Sequence, residues 1–231
     1  MMCRVIFGRN KIYEIKCSLG HKGDVYLAYD FLTESLAVLK CAAGKGKLKW
    51  EQKMLALYAE YDFVPDFLVW EKLALPHCQL RCLVLEYKQG LDLCSLLKSK
   101  VILTRQEIAD LACRIAVIFF KIHAKGYIYG DLKLEHLIYD EKTKSLSLID
   151  FGSCTRKGRL IRSYTPAYDR KNWGLGSRLA DVQYDIFSFS VLLNRLQRND
   201  NFFTEVVLKG LKQEYESMAE VLNDLKKLNI C

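Results

Sequence analysis

Tyr127-Ile128-Tyr129-Gly130-Asp131-Leu132-Lys133-Leu134-Glu135-His136-Leu137-Ile138 decides how this chain is read, together with Asp150-Phe151-Gly152, which begins 19 residues after Asp131. Asp131, Lys133 and His136 in the first stretch and Asp150 in the second are side chains able to do chemistry. Leu137 to Tyr139 and Leu146 to Ile149 predict a small hairpin, so one acid precedes it and the other closes it. Each motif alone is short enough to arise by chance. Their order, and what lies upstream, gives them weight.

Upstream stands Ser18-Leu19-Gly20-His21-Lys22-Gly23-Asp24-Val25. Gly20 and Gly23 between strand candidates let backbone amides approach a phosphate chain without Cβ interference, although a hairpin turn explains them equally well. Lys40 ends the apolar run Leu36-Ala37-Val38-Leu39. An ammonium there needs a counter-charge, which a phosphate or a carboxylate supplies. Glu51 suits that role, because it shares a helical face with Leu55 and Tyr58, and a buried glutamate is expensive unless paired.

Taken in order, these features resemble the eukaryotic-type protein kinase family, over about residues 11 to 227. The resemblance implies an α+β, bilobal protein-kinase-like fold. A β-rich N-lobe would span residues 1–88, with the Gly-rich loop, the Lys strand, the Glu helix and the hinge. A shortened helical C-lobe would span residues 89–231. Lys40 would hold the α and β phosphates of ATP and Glu51 would orient it. Asp150 would carry Mg²⁺, Asp131 would orient the substrate hydroxyl, and Lys133 would stabilise the transferred phosphoryl group. Leu83-Val84-Leu85-Glu86-Tyr87-Lys88 resembles the hinge, where the backbone of Glu86 and Lys88 would meet adenine and Asp92 the ribose. Val25, Val38 and Ile138 would sandwich the purine, and core packing explains them as well. Thr165-Pro166-Ala167-Tyr168 resembles the peptide-docking floor, and with Lys133 it implies a Ser/Thr kinase. Asp185 matches the helix acid that anchors the catalytic loop; its other reading is an acid interacting with free amides at a helix N-terminus.

The pattern also breaks. His136 stands where the family carries a metal-binding Asn, and imidazole suits transition ions better than Mg²⁺, so Mn²⁺ becomes the alternative cofactor. Tyr129-Gly130-Asp131 replaces His-Arg-Asp, so activation by a phosphate on the following segment is not expected. No Ala-Pro-Glu follows Tyr168, and no late Arg stands out to pair with such a Glu. The expected activity is ATP-dependent transfer of the γ-phosphoryl group to Ser or Thr hydroxyls of a protein substrate, the chain itself included. The alternatives are a pseudokinase scaffold and a small-molecule kinase of the aminoglycoside or choline type.

Composition agrees with a globular chain. Its 231 residues are 51% hydrophobic and 27% charged, with 3 Pro and 13 Gly, so no Pro/Gly linker divides it. No run supplies the roughly 18 apolar residues needed to span a membrane, and the N-terminal apolar stretch is too short for a secretory signal. Nine Cys without CxxC pairs read as reduced thiols filling the core of a cytoplasmic protein, or one delivered into a host cell. Cys154 reads as a packing residue or as a thiol activated by Arg156 and Lys157. The net charge of +8 draws on Lys45, Lys47, Lys49 and Lys53 and on Arg156, Lys157, Arg159, Arg162, Arg170 and Lys171. Those stretches read as a solvated face or as a surface for an acidic substrate. No nucleic-acid-binding signature accompanies them. Thr104 with Glu107 predicts a capping box opening a helix that ends before Gly126. Tyr184 to Leu196 and Glu205 to Lys227 predict two closing helices.

Overall fold

Along Ser35–Ala42 the side chains of Ala37, Leu39 and Cys41 are buried, whereas those between them are half-buried. That period of two makes a strand with two different faces, and the rest of the first unit is built around it. The computed structural model describes residues 4–8, 11–19, 24–42, 45–75, 78–99, 101, 103–161, 163–175, 177–198 and 200–228. The chain divides into two compact units, Met1–Gln89 and Gly90–Cys231.

The first unit contains β1 (Arg4–Phe7), β2 (Ile12–Ser18), β3 (Val25–Asp30), β4 (Ser35–Ala42), α1 (Lys45–Tyr58), β5 (Phe67–Leu75) and β6 (Cys78–Glu86). The strands pair antiparallel and curl closed in the order β1-β2-β3-β4-β6-β5. Tyr13, Ala28, Ala37, Leu39, Leu73 and Val84 fill the interior. The register pairs Lys40 with Val25 on one side and with Leu83 on the other. Lys40, Val38 and Val25 therefore share the opposite face of the sheet.

The same register sets Cys41 against Cys82, and the two form a disulfide across β4 and β6. This corrects the expectation of reduced thiols throughout, and with it the cysteine argument for a reducing compartment. The bond closes a separation of 41 residues, for which chain entropy alone gives about 4 kcal/mol. Adding a phosphine reductant is expected to lower the thermal midpoint by several degrees, checked by calorimetry alongside a non-reducing peptide map showing the Cys41–Cys82 cross-link. A Cys41→Ser variant whose midpoint equals that of the untreated wild type would remove the bond from the stability of this unit.

The second unit contains β7 (Leu91–Asp92), α2 (Leu93–Lys98), α3 (Arg105–Ala124), β8 (Tyr127–Ile128), β9 (Leu137–Tyr139), β10 (Leu146–Leu148), β11 (Thr155–Arg156), α4 (Val182–Leu196), α5 (Thr204–Leu211) and α6 (Met218–Lys227). The capping box forms as the sequence predicts: Thr104 accepts from the Glu107 amide while the Glu107 carboxylate accepts from the Thr104 amide. Leu111, Ile115, Phe119 and Ile122 bury one face of α3 completely. The hairpin β9–β10 pairs Leu137 with Leu148, so the stretch through Asp131 and His136 enters, and Asp150 leaves, at the same open end.

One expected helix is broken. Glu205 to Lys227 divides into α5 and α6, because Gln213 takes a left-handed φ of 61° and Ser217 starts α6 by accepting from the Glu220 amide. Gly210 lets α5 lie close to α4, since a Cβ there would overlap the Ser190 hydroxyl. Among the described residues, no helix is long and apolar enough to cross a membrane.

Candidate active site

In the first unit, the Lys40 Nζ lies 2.8 Å from Glu51 Oε1. Glu51 is 1% exposed, on the face of α1 that also buries Leu48, Leu55 and Tyr58. A carboxylate so desolvated stays ionised only beside a cation, and strand β4 delivers one. Val25 and Val38 are half-buried on the face that carries Lys40. The Glu86 amide donates to the Asp66 carbonyl at 2.9 Å, and its carboxylate accepts from the Asp66 amide at 3.0 Å. That carboxylate also pairs with the Lys88 ammonium at 2.9 Å. These bonds pin the end of β6. Gly20 and Gly23 lie outside the described residues.

In the second unit, Asp131 is 9% exposed and engaged on three sides. Its Oδ1 accepts from the Thr165 hydroxyl at 2.7 Å, and its Oδ2 lies 3.9 Å from the Lys133 ammonium. Its backbone carbonyl lies 2.9 Å from His136 Nδ1. Three residues named from sequence, Asp131, Lys133 and Thr165, are thus brought together. The loop that holds them hangs from Asp185, which is fully buried at the start of α4. The Tyr129 amide donates to Asp185 Oδ2 at 2.8 Å and the Gly130 amide to Oδ1 at 2.9 Å. His123 Nε2 contacts Oδ2 at 2.9 Å. The anchoring reading of Asp185 accounts for all three.

His136 is held on the other side of the same loop. Its Nδ1 meets the Asp131 carbonyl and the Tyr129 hydroxyl, each at 2.9 Å. Its Nε2 points at Asp150 Oδ2, 3.6 Å away. Burial pushes the imidazole pKa below its ordinary value, against the opposing pull of the Asp150 carboxylate. Asp150 itself has left-handed backbone (φ 61°), a conformation rare outside glycine that here orients a chemically active side chain. Two sequence-named residues serve other structural ends. Asp92 caps α2, its two oxygens accepting from the Ser95 amide and hydroxyl. Ile138 pairs with Asp92 across β7 and β9 and is half-buried.

Several residues that position the site were not singled out from sequence. The Tyr129 hydroxyl donates to the Ile149 carbonyl, and its ring stands edge-on to Phe119, His136 and Phe151. Gly130 has φ 81°, and a Cβ there would stand 3.3 Å from Ile161, which is buried. Beyond Tyr168, two crossed ion pairs fix the chain: Asp169 with Arg178 at 2.7 Å and Arg170 with Asp181 at 2.7 Å. Arg170 is 4% exposed, so it belongs neither to a solvated face nor to a substrate surface, which corrects that part of the charge reading. Arg156, Lys157, Arg159 and Lys171 remain exposed, and Arg162 lies outside the described residues. Cys154 is buried, as the packing reading requires.

Comparison with known proteins bears on the whole arrangement. Residues 16–230 match the protein kinase domain. The serine/threonine-protein kinase YabT of Bacillus subtilis is 40% identical over 72 residues, covering 31% of this chain and 21% of its own length. The serine/threonine-protein kinase 1 of an African swine fever virus isolate is 41% identical over 119 residues, covering 47% of this chain and 38% of its own. The chain therefore spans well under half the length of these curated relatives. Among solved structures, vaccinia related kinase 3 superposes with a TM-score of 0.69 at 15% identity, over 99% of this chain and 90% of that one. The Cydia pomonella granulovirus kinase PK-1 gives 0.65 at 19%, over 80% and 67%. With one domain family accounting for nearly every residue, this chain belongs to the protein kinase family.

Proposed function

We propose that the chain is an ATP-dependent protein kinase that transfers the γ-phosphoryl group to Ser or Thr hydroxyls, its own among them. The observation that carries this reading is Asp131, fixed by the Thr165 hydroxyl at 2.7 Å with the Lys133 ammonium 3.9 Å from its other oxygen. Thr165 holds one carboxylate oxygen and leaves Oδ2 to orient an acceptor hydroxyl and take up its proton. Lys133, beside that oxygen, balances charge on the transferred group. The Lys40–Glu51 pair presents a fixed ammonium to the α and β phosphates. In the first unit Glu86 and Lys88 offer backbone groups to adenine, and Val25 and Val38 an apolar face to its ring; in the second unit Ile138 offers an apolar side chain to the ring and Asp92 lone pairs to the ribose.

Asp150 and His136 would hold a divalent cation, which would supply positive charge against the charge that develops on the phosphate oxygens. The residues fit one. Asp150 and His136 offer an oxygen and a nitrogen 3.6 Å apart, within the roughly 4.2 Å that two ligands on one ion with bonds of about 2.1 Å can span. No group of three or more metal-binding side chains occurs among the described residues, and a catalytic cation needs none when nucleotide phosphates and water complete its shell.

The test is transfer of label from γ-labelled ATP to a generic protein substrate, with Mg²⁺ and Mn²⁺ supplied separately. Asp131→Ala and Asp150→Ala are each expected to reduce incorporation at least about 10³-fold, since the chemistry is almost entirely positioning and electrostatics. Nucleotide binding without transfer in either metal would replace the reading with a pseudokinase, and label on a small alcohol alone with a small-molecule kinase. Arg156, Lys157 and Arg159, exposed on the segment that leads to Thr165, favour acidic sequence around the acceptor. A peptide library phosphorylated without preference for Asp, Glu or phosphoresidues near the acceptor would dispose of that refinement.

A further inference from the structure

We infer that His136 is a nitrogen ligand of the divalent cation, and that it shifts the site from Mg²⁺ toward a first-row transition ion such as Mn²⁺; the inference rests on the kinase reading above. The argument begins with the ring's tautomer. Nδ1 lies 2.9 Å from the Asp131 carbonyl, and a carbonyl can only accept, so Nδ1 carries the hydrogen. The Tyr129 hydroxyl spends its own hydrogen on the Ile149 carbonyl, so its oxygen also faces Nδ1 as an acceptor. Two acceptors on Nδ1 leave Nε2 as the lone-pair nitrogen.

That lone pair is aimed at Asp150 Oδ2, 3.6 Å away, too long for a hydrogen bond. A nitrogen lone pair facing a carboxylate oxygen across such a gap is an arrangement that a cation between them stabilises. The outer support is also that of a ligating histidine, whose second ring nitrogen donates to a backbone carbonyl and so fixes both tautomer and orientation. The carbonyl is that of Asp131, which ties the ring to the loop carrying the catalytic acid. Ring rotation is further restricted by Tyr129, whose ring stands edge-on at 6.1 Å, and by burial of all but 8% of the side chain.

The chemical consequence follows from ligand type. Mg²⁺ is a hard ion that binds oxygen and dehydrates reluctantly, whereas imidazole nitrogen raises affinity for Mn²⁺ and the ions after it in the first row. One nitrogen in place of an oxygen changes which metal the site prefers without changing where the metal sits.

The experiment uses the full chain with Mn²⁺ and the non-hydrolysable analogue AMP-PNP, read by electron spin echo spectroscopy on protein containing ¹⁴N- or ¹⁵N-histidine. A nitrogen modulation that changes with the histidine label and disappears in His136→Asn is the expected result. The same variant should lower the ratio of Mn²⁺ to Mg²⁺ affinity, measured by calorimetric titration, by about tenfold or more. Absence of bound Mn²⁺, a modulation indifferent to the label, one that survives in the variant, or an unchanged affinity ratio each overturns the inference. Should His136→Asn fail to fold, the labelled wild type decides alone. A wild type that transfers phosphate yet lacks the coupling sinks this inference and spares the kinase reading; one that neither binds nucleotide nor transfers sinks both.

Discussion

Asp185→Ala is expected to lower the thermal midpoint of the protein by roughly 6–20 °C and to cut phosphoryl transfer about 100-fold or more. The carboxylate is fully buried and takes the amides of Tyr129 and Gly130 together with His123. Removing it deprives two buried amides of the group that receives them, at about 1–3 kcal/mol each, and the loss of a hydrogen-bonded buried charge brings the total to about 3–5 kcal/mol. The rate effect has a separate origin. Those amides fix the residues just before Asp131, and a displacement of about 1 Å at a catalytic group is enough for a hundredfold loss. Asp185→Asn keeps the shape but replaces one acceptor oxygen by an NH₂ donor, so it should fall between wild type and alanine in both readouts. Calorimetry and the transfer assay check this together; an alanine variant with wild-type midpoint and rate would mean the loop is held by other contacts.

How much of this was legible in the sequence depended on whether a residue's partner was implied by its chemistry. Glu51 was legible because an acid on a buried helix face requires a cation, and Lys40 was in reach. Thr104 with Glu107 was legible because the capping box is local. The order of Asp131, Lys133 and Asp150 gave the family, and their spacing then placed the loop and hairpin. Cys41 and Cys82 were not legible as a pair, because they meet through the register of β4 and β6 across 41 residues. The break between α5 and α6 was hidden because Gln213, unlike Gly or Asn, does not announce a left-handed turn. Asp92 could have been found as a cap, since Ser95 follows at the right spacing. Arg170 was lost in a count of exposed-looking cations, because charge patterning does not distinguish a buried guanidinium from a solvated one.

Arg170→Ala is therefore the second large effect to expect, and it bears on how the site is kept assembled. The guanidinium donates to the carbonyls of Ser177 and Leu179, to Gln213 and to the Asp181 carboxylate. Asp181 also caps α4, accepting from the Tyr184 amide, and Asp185 lies one turn further along that helix. The contacts close a circuit. Arg170 ties its segment to the start of α4, α4 holds the loop of Tyr129 and Gly130 through Asp185, and Asp131 on that loop receives Thr165, five residues before Arg170. Where a kinase with His-Arg-Asp can pair its arginine with a phosphate, this chain has Gly130 beside buried Ile161, so the Arg170 network is the expected support of the segment. Breaking a buried ion pair costs about 3–5 kcal/mol, and since Asp181 is 30% exposed the lower end applies, a fall of roughly 6–12 °C in midpoint. Transfer should fall at least about tenfold, because Thr165 no longer approaches Asp131 in register. Arg170→Lys should not restore it, since an ammonium cannot reproduce a planar fork shared among four acceptors. Phosphatase treatment of the wild type should leave its rate unchanged. A wild type that loses activity on dephosphorylation, or a lysine variant as active as wild type, would show that the segment is held some other way.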